Sequence, residues 1–554
     1  MALLLAASLA RGDSLAFVDP LPPGAYAVGC SNVEQDFSRV GPGETAKNYW
    51  EGFADNGRDR YVTQLLIDPA DALLFNVAVP NDRELFTNRA TQQVAYALIV
   101  CYPTDARNPR ADYPLPTGFS VPHMQRGAEA PIWADPSARW PVLLFSHGLT
   151  GSPLSNDYIV ALTTLASYGY IIVAPFHGDP RFADVRIDNI SDFAYAALHF
   201  NTFVEMQAIR PLSTSAALDL VLAHPQYRDH VDPARVAGFG ASLGGETLLL
   251  QAGAQLTTTI GMSSKQVIVD PRLKAIASYV PYFGQTFLPA FGRDQKGLDA
   301  VAVPFLGISG FADTTAPVVA TAEGVKRLTH SRELLALMGV GHYFDYPSAP
   351  DIFTWSLIFL AAHVLDDRAA RVRIARMIAV RGGGDDRLLL DYTEPAPLAP
   401  GERDVIEYHA PSLDHYFLTA DPTEIAVLDG AIIPGWNRTG FEFKSWTVES
   451  GRGIPTCRFF GTPGVGPNTH FYSIDPVECA ALRGSPYWTF EGLTFAEDAP
   501  VLGDCAADRA PVVRLYNNGM GGTANHRFLT SHSETTAMWL AGWVIEGTVF
   551  CAPP

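Results

Sequence analysis

The feature that most restricts what this chain can fold into is an internal repeat near its C-terminus. WNRTGFEF begins at Trp436, WTFEGLTF at Trp488 and WVIEGTVF at Trp543, and all three fit W-x-x-[TE]-G-x-x-F at spacings of 52 and 55 residues. Upstream of each lies an aromatic, strand-like piece ending in a hydroxyl residue: HYFLT to Thr419, HFYS to Ser473 and HRFLT to Thr530. A unit this short cannot bury its own apolar face, so three copies must bury theirs against one another. The expectation for 405–554 is a small β-rich domain of three repeats with approximate three-fold symmetry, trefoil-like in outline. Its repeated Trp and Phe positions read first as core and second as an aromatic platform for a polymer, a carbohydrate or a cell surface.

Ahead of the repeats, residues 381–404 (RGGGDDRLLLDYTEPAPLAPGERD) are rich in Gly, Pro and charge and read as a linker. Before that, apolar β-branched runs alternate with longer amphipathic segments, the rhythm of an α/β domain with a mostly parallel sheet flanked by helices, over 17–380. Residues 1–16 contain ALLLAASLA, which reads as the remnant of a secretory signal. Six cysteines without metal-ligand spacing fit disulfides in an exported protein, with buried thiols as the other reading. Spacing suggests Cys30 with Cys101, Cys457 with Cys479 and Cys505 with Cys551. The expected location is secreted or periplasmic.

The net charge of -19 argues against nucleic acid or an anionic membrane surface as partner. The most apolar stretch, IFTWSLIFLAAHVL at 352–365, is shorter than a bilayer span requires, so no transmembrane segment is expected.

The chemistry concentrates around VAGFGASLGGE at 236–246. With 47 glycines, a G-x-S-x-G arises by chance in about one such chain in five, so Ser242 needs support from elsewhere. RVAGFG before it suits a buried strand and ETLLLQAGA after it a helix, the context of a nucleophile elbow in which small residues permit a sharp turn. A serine hydroxyl needs a base, and the base needs a carboxylate to orient it. VAVPFLGISG reads as a strand delivering Asp313, and ELLALMGVG as one delivering His342, in the order Ser, acid, His. Asp345 is a nearby alternative acid, and His147 and His177 also follow strands. WPVLLFSHGLTGS ends a strand in a tight turn that frees the Leu149 amide. With the Leu243 amide it would form an oxyanion hole.

Taken together, FSHGL at 145–149, GYIIVAP at 169–175, the Ser242 motif, ADTTAP at 312–317 and GVGHYF at 339–344 resemble the α/β-hydrolase superfamily over roughly residues 90–370. They are most similar to its platelet-activating-factor acetylhydrolase and dienelactone hydrolase branches, with Ala241 standing where His is common in the first. The resemblance implies an α/β-hydrolase fold, a cofactor-free serine esterase, Ser242, Asp313 and His342 as triad, and Leu149 and Leu243 as oxyanion donors. The C-terminal repeats resemble an uncharacterised module attached to secreted bacterial hydrolases. Three functions fit: an esterase or lipase on small or lipid esters, a polyester depolymerase held on its substrate by the repeats, and a non-catalytic binding or adhesion protein on a hydrolase scaffold. PYFGQTFLPAFGR at 281–293 reads either as an acyl pocket or groove wall, or as a packed loop.

Overall fold

The computed structural model describes residues 17–53, 60–184, 198–522 and 524–553. The expected signal remnant, residues 1–16, lies outside the described residues. The chain forms two compact units: Pro20–Leu365 with Gly382–Arg387, and Leu388–Pro554 with Asp366–Arg381 and residues 17–19. Within the stretch expected as a linker, Asp386–Tyr392 is a strand, because the RLLLDY run between its glycines and prolines supplies residues that favour extended backbone.

The first unit is built on one sheet. Nine of its ten strands are β1 (Ala27–Cys30), β2 (Leu73–Ala78), β3 (Gln93–Thr104), β4 (Trp140–Ser146), β5 (Ile171–Pro175), β6 (Val231–Ala241), β7 (Leu273–Tyr279), β8 (Phe305–Gly310) and β9 (Arg332–Leu337). They lie in the order β9-β8-β7-β6-β4-β5-β3-β1, with β2 also on β3. The run from β9 to β5 is parallel; β3 joins β5 antiparallel, as do β1 and β2 to β3. Every residue of β4, β5 and β8 is buried, which is why these strands read as unbroken apolar runs rather than as alternation. The longer helices among the described residues are α1 (Asn156–Ser167), α2 (Phe200–Ala223), α3 (Leu243–Gln251), α4 (Val318–Val325) and α5 (Ala349–Val364). The apolar stretch at 352–365 falls in α5, whose Trp355, Phe359 and Leu360 are fully buried. Among the described residues no helix is long and apolar enough to cross a membrane. Cys30 and Cys101 face each other across β1 and β3 at disulfide distance.

The second unit is mostly antiparallel. The order strand, strand, helix, strand runs through β10 (Glu402–Ala410), β11 (His415–Thr419), α6 (Pro422–Asp429) and β12 (Asn437–Trp446). The same order follows in β13 (Ile454–Gly461), β14 (His470–Ser473), α7 (Pro476–Arg483) and β15 (Trp488–Glu497). It recurs in β16 (Ala510–Tyr516), β17 (His526–Leu529), α8 (His532–Leu540) and β18 (Val544–Ala552). The helices are a difference from the all-strand, trefoil-like expectation. Asp421, Asp475 and Ser531 cap their first turns through backbone amides, so a short helix is stabilised where the sequence suggested only a turn.

The motif residues have separate tasks. Gly440, Gly492 and Gly547 all adopt positive φ, between 85° and 136°, at strand irregularities where a side chain would strain the backbone. The closing phenylalanines Phe443, Phe495 and Phe550 are buried in one core, with ring centroids 6.1 Å and 6.2 Å apart along the series. Cys457–Cys479 and Cys505–Cys551 are at disulfide distance within this unit.

Candidate functional site

Ser242 stands where β6 gives way to α3, with φ 53° and ψ −120°. That conformation is strained for an L-residue and persists only where surrounding bonds fix it. Here the Ser242 amide donates to the Tyr279 carbonyl (3.0 Å), and the Ser242 carbonyl accepts from the amides of Gly245 (2.9 Å) and Tyr282 (3.1 Å). A Cβ on Gly240 would come within 2.5 Å of the Gly244 backbone, and one on Gly244 would overlap the Ser146 carbonyl. The glycines of the motif therefore let α3 start hard against the sheet while the serine side chain projects from the turn.

The loop after β9 brings His342 to this hydroxyl, with Nε2 2.8 Å from Ser242 Oγ. Its Nδ1 is 2.7 Å from Asp313 Oδ2, delivered by the turn after β8. Asp313 is fixed in turn, since its Oδ1 accepts from the amides of Thr315 and Ala316, both at 2.8 Å. With Nδ1–H donated to a carboxylate, the Nε2 lone pair faces the hydroxyl. The Asp313 side chain is fully buried, the His342 side chain 20% exposed and Ser242 8% exposed, so the imidazole opens to solvent and the carboxylate behind it does not. Asp345 is occupied otherwise: its carboxylate accepts from the Ser348 amide (3.1 Å) and hydroxyl (2.6 Å).

Leu149 lies on a pinned loop. Gly148 N donates to Tyr158 Oη (3.0 Å), Thr150 N donates to Asp179 Oδ2 (2.9 Å), and Arg210 donates to the His147 carbonyl. Asp179 and Arg210 are a fully buried ion pair at 3.3 Å. Among the described residues, neither the Leu149 nor the Leu243 amide has a backbone acceptor outside regular elements, whereas Gly148 N and Thr150 N are taken up by side chains and Ser242 N by the Tyr279 carbonyl. The loop runs close to the Ser242 turn, since a Cβ on Gly148 would lie 3.3 Å from Ser242 Cβ. Tyr158, Asp179 and Arg210 carry no local signal in the sequence because they act on the loop from other elements; Asp179 lies two residues after His177 without a motif of its own.

His147 and His177 prove to be buried framework. His147 Nδ1 bonds the Gly148 carbonyl (2.8 Å) and its Nε2 accepts from the His177 amide (3.1 Å). His177 is held between Ser146 Oγ (2.9 Å) and Ser213 Oγ (3.1 Å). Burial, with Arg210 adding to it, drives both imidazoles well below their ordinary pKa, so they are neutral. Beside the Ser242 turn, Ala183, Met206 and Leu243 form an apolar cluster with Leu149, Phe182, Phe203 and Tyr282. In the 281–293 segment Phe283 and Phe291 are fully buried and Phe287 is exposed, so most of it is a packed loop and Tyr282 alone reaches this cluster. Glu246, one turn beyond Leu243, accepts from Gln207 Nε2 (2.8 Å), and burial raises its pKa to about 8. No cluster suited to a metal ion is present among the described residues.

Comparison with known proteins gives two partial matches. A family model described as platelet-activating factor acetylhydrolase, isoform II, matches residues 123–185, the segment that carries β4, the Leu149 loop and β5. A second, described as a domain of unknown function (DUF5648), matches residues 404–553, the span from β10 to β18. No curated protein matches the chain. The chain is thus similar, through β4 and β5, to a family of ester-cleaving acetylhydrolases, and through its last 150 residues to a domain without assigned function.

Proposed function

We propose that the first unit is an α/β-hydrolase and that the protein is a secreted serine esterase working without a cofactor. The observation that carries this reading is the pair of short contacts at one imidazole, 2.8 Å to Ser242 Oγ and 2.7 Å to Asp313 Oδ2. The parallel run from β9 to β5, with the serine on its central strand β6, supports the fold, and the acetylhydrolase match supports ester over amide as substrate. Three cysteine pairs at disulfide distance support an oxidising compartment.

In the reaction Ser242 Oγ attacks the ester carbonyl carbon while His342 Nε2 takes its proton. Negative charge collects on the carbonyl oxygen, where the Leu149 and Leu243 amides are the donors; losing one such donor typically costs about 3 kcal/mol of barrier stabilisation. The C–O bond breaks and the imidazolium returns the proton to the departing alcohol. Water, deprotonated by the same Nε2, then attacks the acyl-enzyme and releases the acid. Asp313 remains a carboxylate throughout and holds the ring.

The test is covalent labelling with a fluorophosphonate followed by peptide mass spectrometry. A single adduct on Ser242, absent from Ser242→Ala protein, is expected together with loss of p-nitrophenyl ester turnover. Turnover retained in Ser242→Ala overturns the proposal.

A further inference from the structure

Strand order fixes which side of the serine each group comes from. β6 carries Ser242; β8 and β9, which deliver Asp313 and His342, lie to one side of it, and β4 and β5 lie to the other. Leu149 follows β4, and Phe182 and Ala183 follow β5. In ester cleavage the departing oxygen must take its proton from His342 Nε2, so the alcohol leaves on the β8–β9 side. The acyl chain, attached to the same carbonyl carbon, then runs toward the β4–β5 side, directly into the apolar cluster.

Resting on the esterase reading, we propose that this cluster is the acyl pocket and that Phe203 and Met206 of α2 determine which acyl chains it accepts. Leu149, Phe182, Phe203 and Tyr282 are the half-buried members, whose remaining surface is available to a ligand, while Met206 and Leu243 are buried behind them. Leu149 and Leu243 lend amides to the carbonyl oxygen and side chains to the wall, which ties the pocket to the reacting atom. The residue after Met206 is Gln207, and it bonds Glu246, one turn beyond Leu243. Burial raises the pKa of that carboxyl to about 8, so at neutral pH the Gln207–Glu246 pair is mostly uncharged, and the side chains that line the pocket itself are apolar. The class selected is an uncharged, apolar carboxylic acyl group.

The experiment measures kcat/KM on the full-length protein for p-nitrophenyl esters from acetate to octanoate, and for butyrates of ethanol, butanol and octanol. Each added methylene in such a pocket changes discrimination by about tenfold or more. Phe203→Ala is expected to raise the octanoate-to-butyrate ratio by at least about tenfold, and Ala183→Leu, which fills the same space, to lower it by a similar factor. The ranking of the three alcohols should be the same in all proteins. Phe203→Leu serves as a milder truncation with a smaller shift in the same direction. A change in the alcohol ranking with a constant acyl profile would reverse the assignment, and constancy of both would remove these residues from the pocket. In either case Ser242-dependent turnover leaves the esterase reading standing, whereas turnover that survives Ser242→Ala defeats that reading itself.

Discussion

The first unit contains two serine–histidine pairs of nearly equal geometry and opposite character. Ser242 Oγ lies 2.8 Å from His342 Nε2, and Ser146 Oγ lies 2.9 Å from His177 Nε2. The difference is in what stands behind each ring. His342 Nδ1 meets the carboxylate of Asp313, which stabilises the ring when it gains a proton. His177 Nδ1 meets the Ser213 hydroxyl, which is already committed to the Arg210 carbonyl at 2.7 Å, and a buried guanidinium nearby opposes any positive charge on the ring. Ser146 is a fully buried β4 residue, while Ser242 is pushed out of the sheet by its positive-φ turn. A hydrogen bond from hydroxyl to imidazole is therefore no sign of a nucleophile by itself; the charge behind the ring and access to the hydroxyl decide.

The largest effect that separates the pairs is on turnover. Ser242→Ala is expected to lower kcat for a p-nitrophenyl ester by about 10⁶-fold, the scale on which triad nucleophiles act. Ser146→Ala should stay within about tenfold of the parent protein, its cost appearing as about 1–3 kcal/mol of stability because the buried His177 Nε2 loses its partner. Equal losses in the two variants would erase the distinction. Next in size is the orienting acid. Asp313→Asn keeps the shape but cannot hold the Nδ1–H tautomer, and about 10⁴-fold in kcat should be lost while KM changes little. Steady-state kinetics at pH 7 on the same ester checks both.

How much of this was legible in the sequence follows from how local each constraint is. The Ser242 turn could be read because its requirements lie within a few residues: a glycine at 240 facing the Gly244 backbone and one at 244 facing Ser146. Asp313 and His342 could be read because each directly follows a buried strand in a known order. The grip on the Leu149 loop could not, because Tyr158, Asp179 and Arg210 reach it from α1, from beyond β5 and from the middle of α2. In the second unit the motif phenylalanines are core, as their repetition implies, and they meet in one cluster. The helices within the repeats were overlooked although D-P-T-E at 421–424 and D-P-V-E at 475–478 carry a capping acid, Pro at the first helical position and Glu in the first turn. Eight residues between aromatic strands read as turn unless the cap is given priority.

The smallest effect probes the buried pair through its protons. His177 is neutral in the folded protein because burial, Arg210, His147 and Arg181 all hold its pKa well below 6.5, whereas in the unfolded chain it titrates normally. Below pH 6.5 the unfolded state takes up a proton that the folded state refuses, so this residue's contribution to stability is present above 6.5 and is lost as pH falls. The limiting slope for one such group is about 1.4 kcal/mol per pH unit. His177→Gln retains a side chain able to bond Ser146 and removes the titration. Between pH 7 and pH 5 its stability in urea unfolding should fall by about 1–2 kcal/mol less than that of the parent protein. His147, buried beside it, contributes the same sign and remains in both proteins, so the difference isolates position 177. Parallel pH profiles for the two proteins would mean that the His177 ring accepts a proton in the folded state, and the contrast with His342 would then rest on access to the hydroxyl alone.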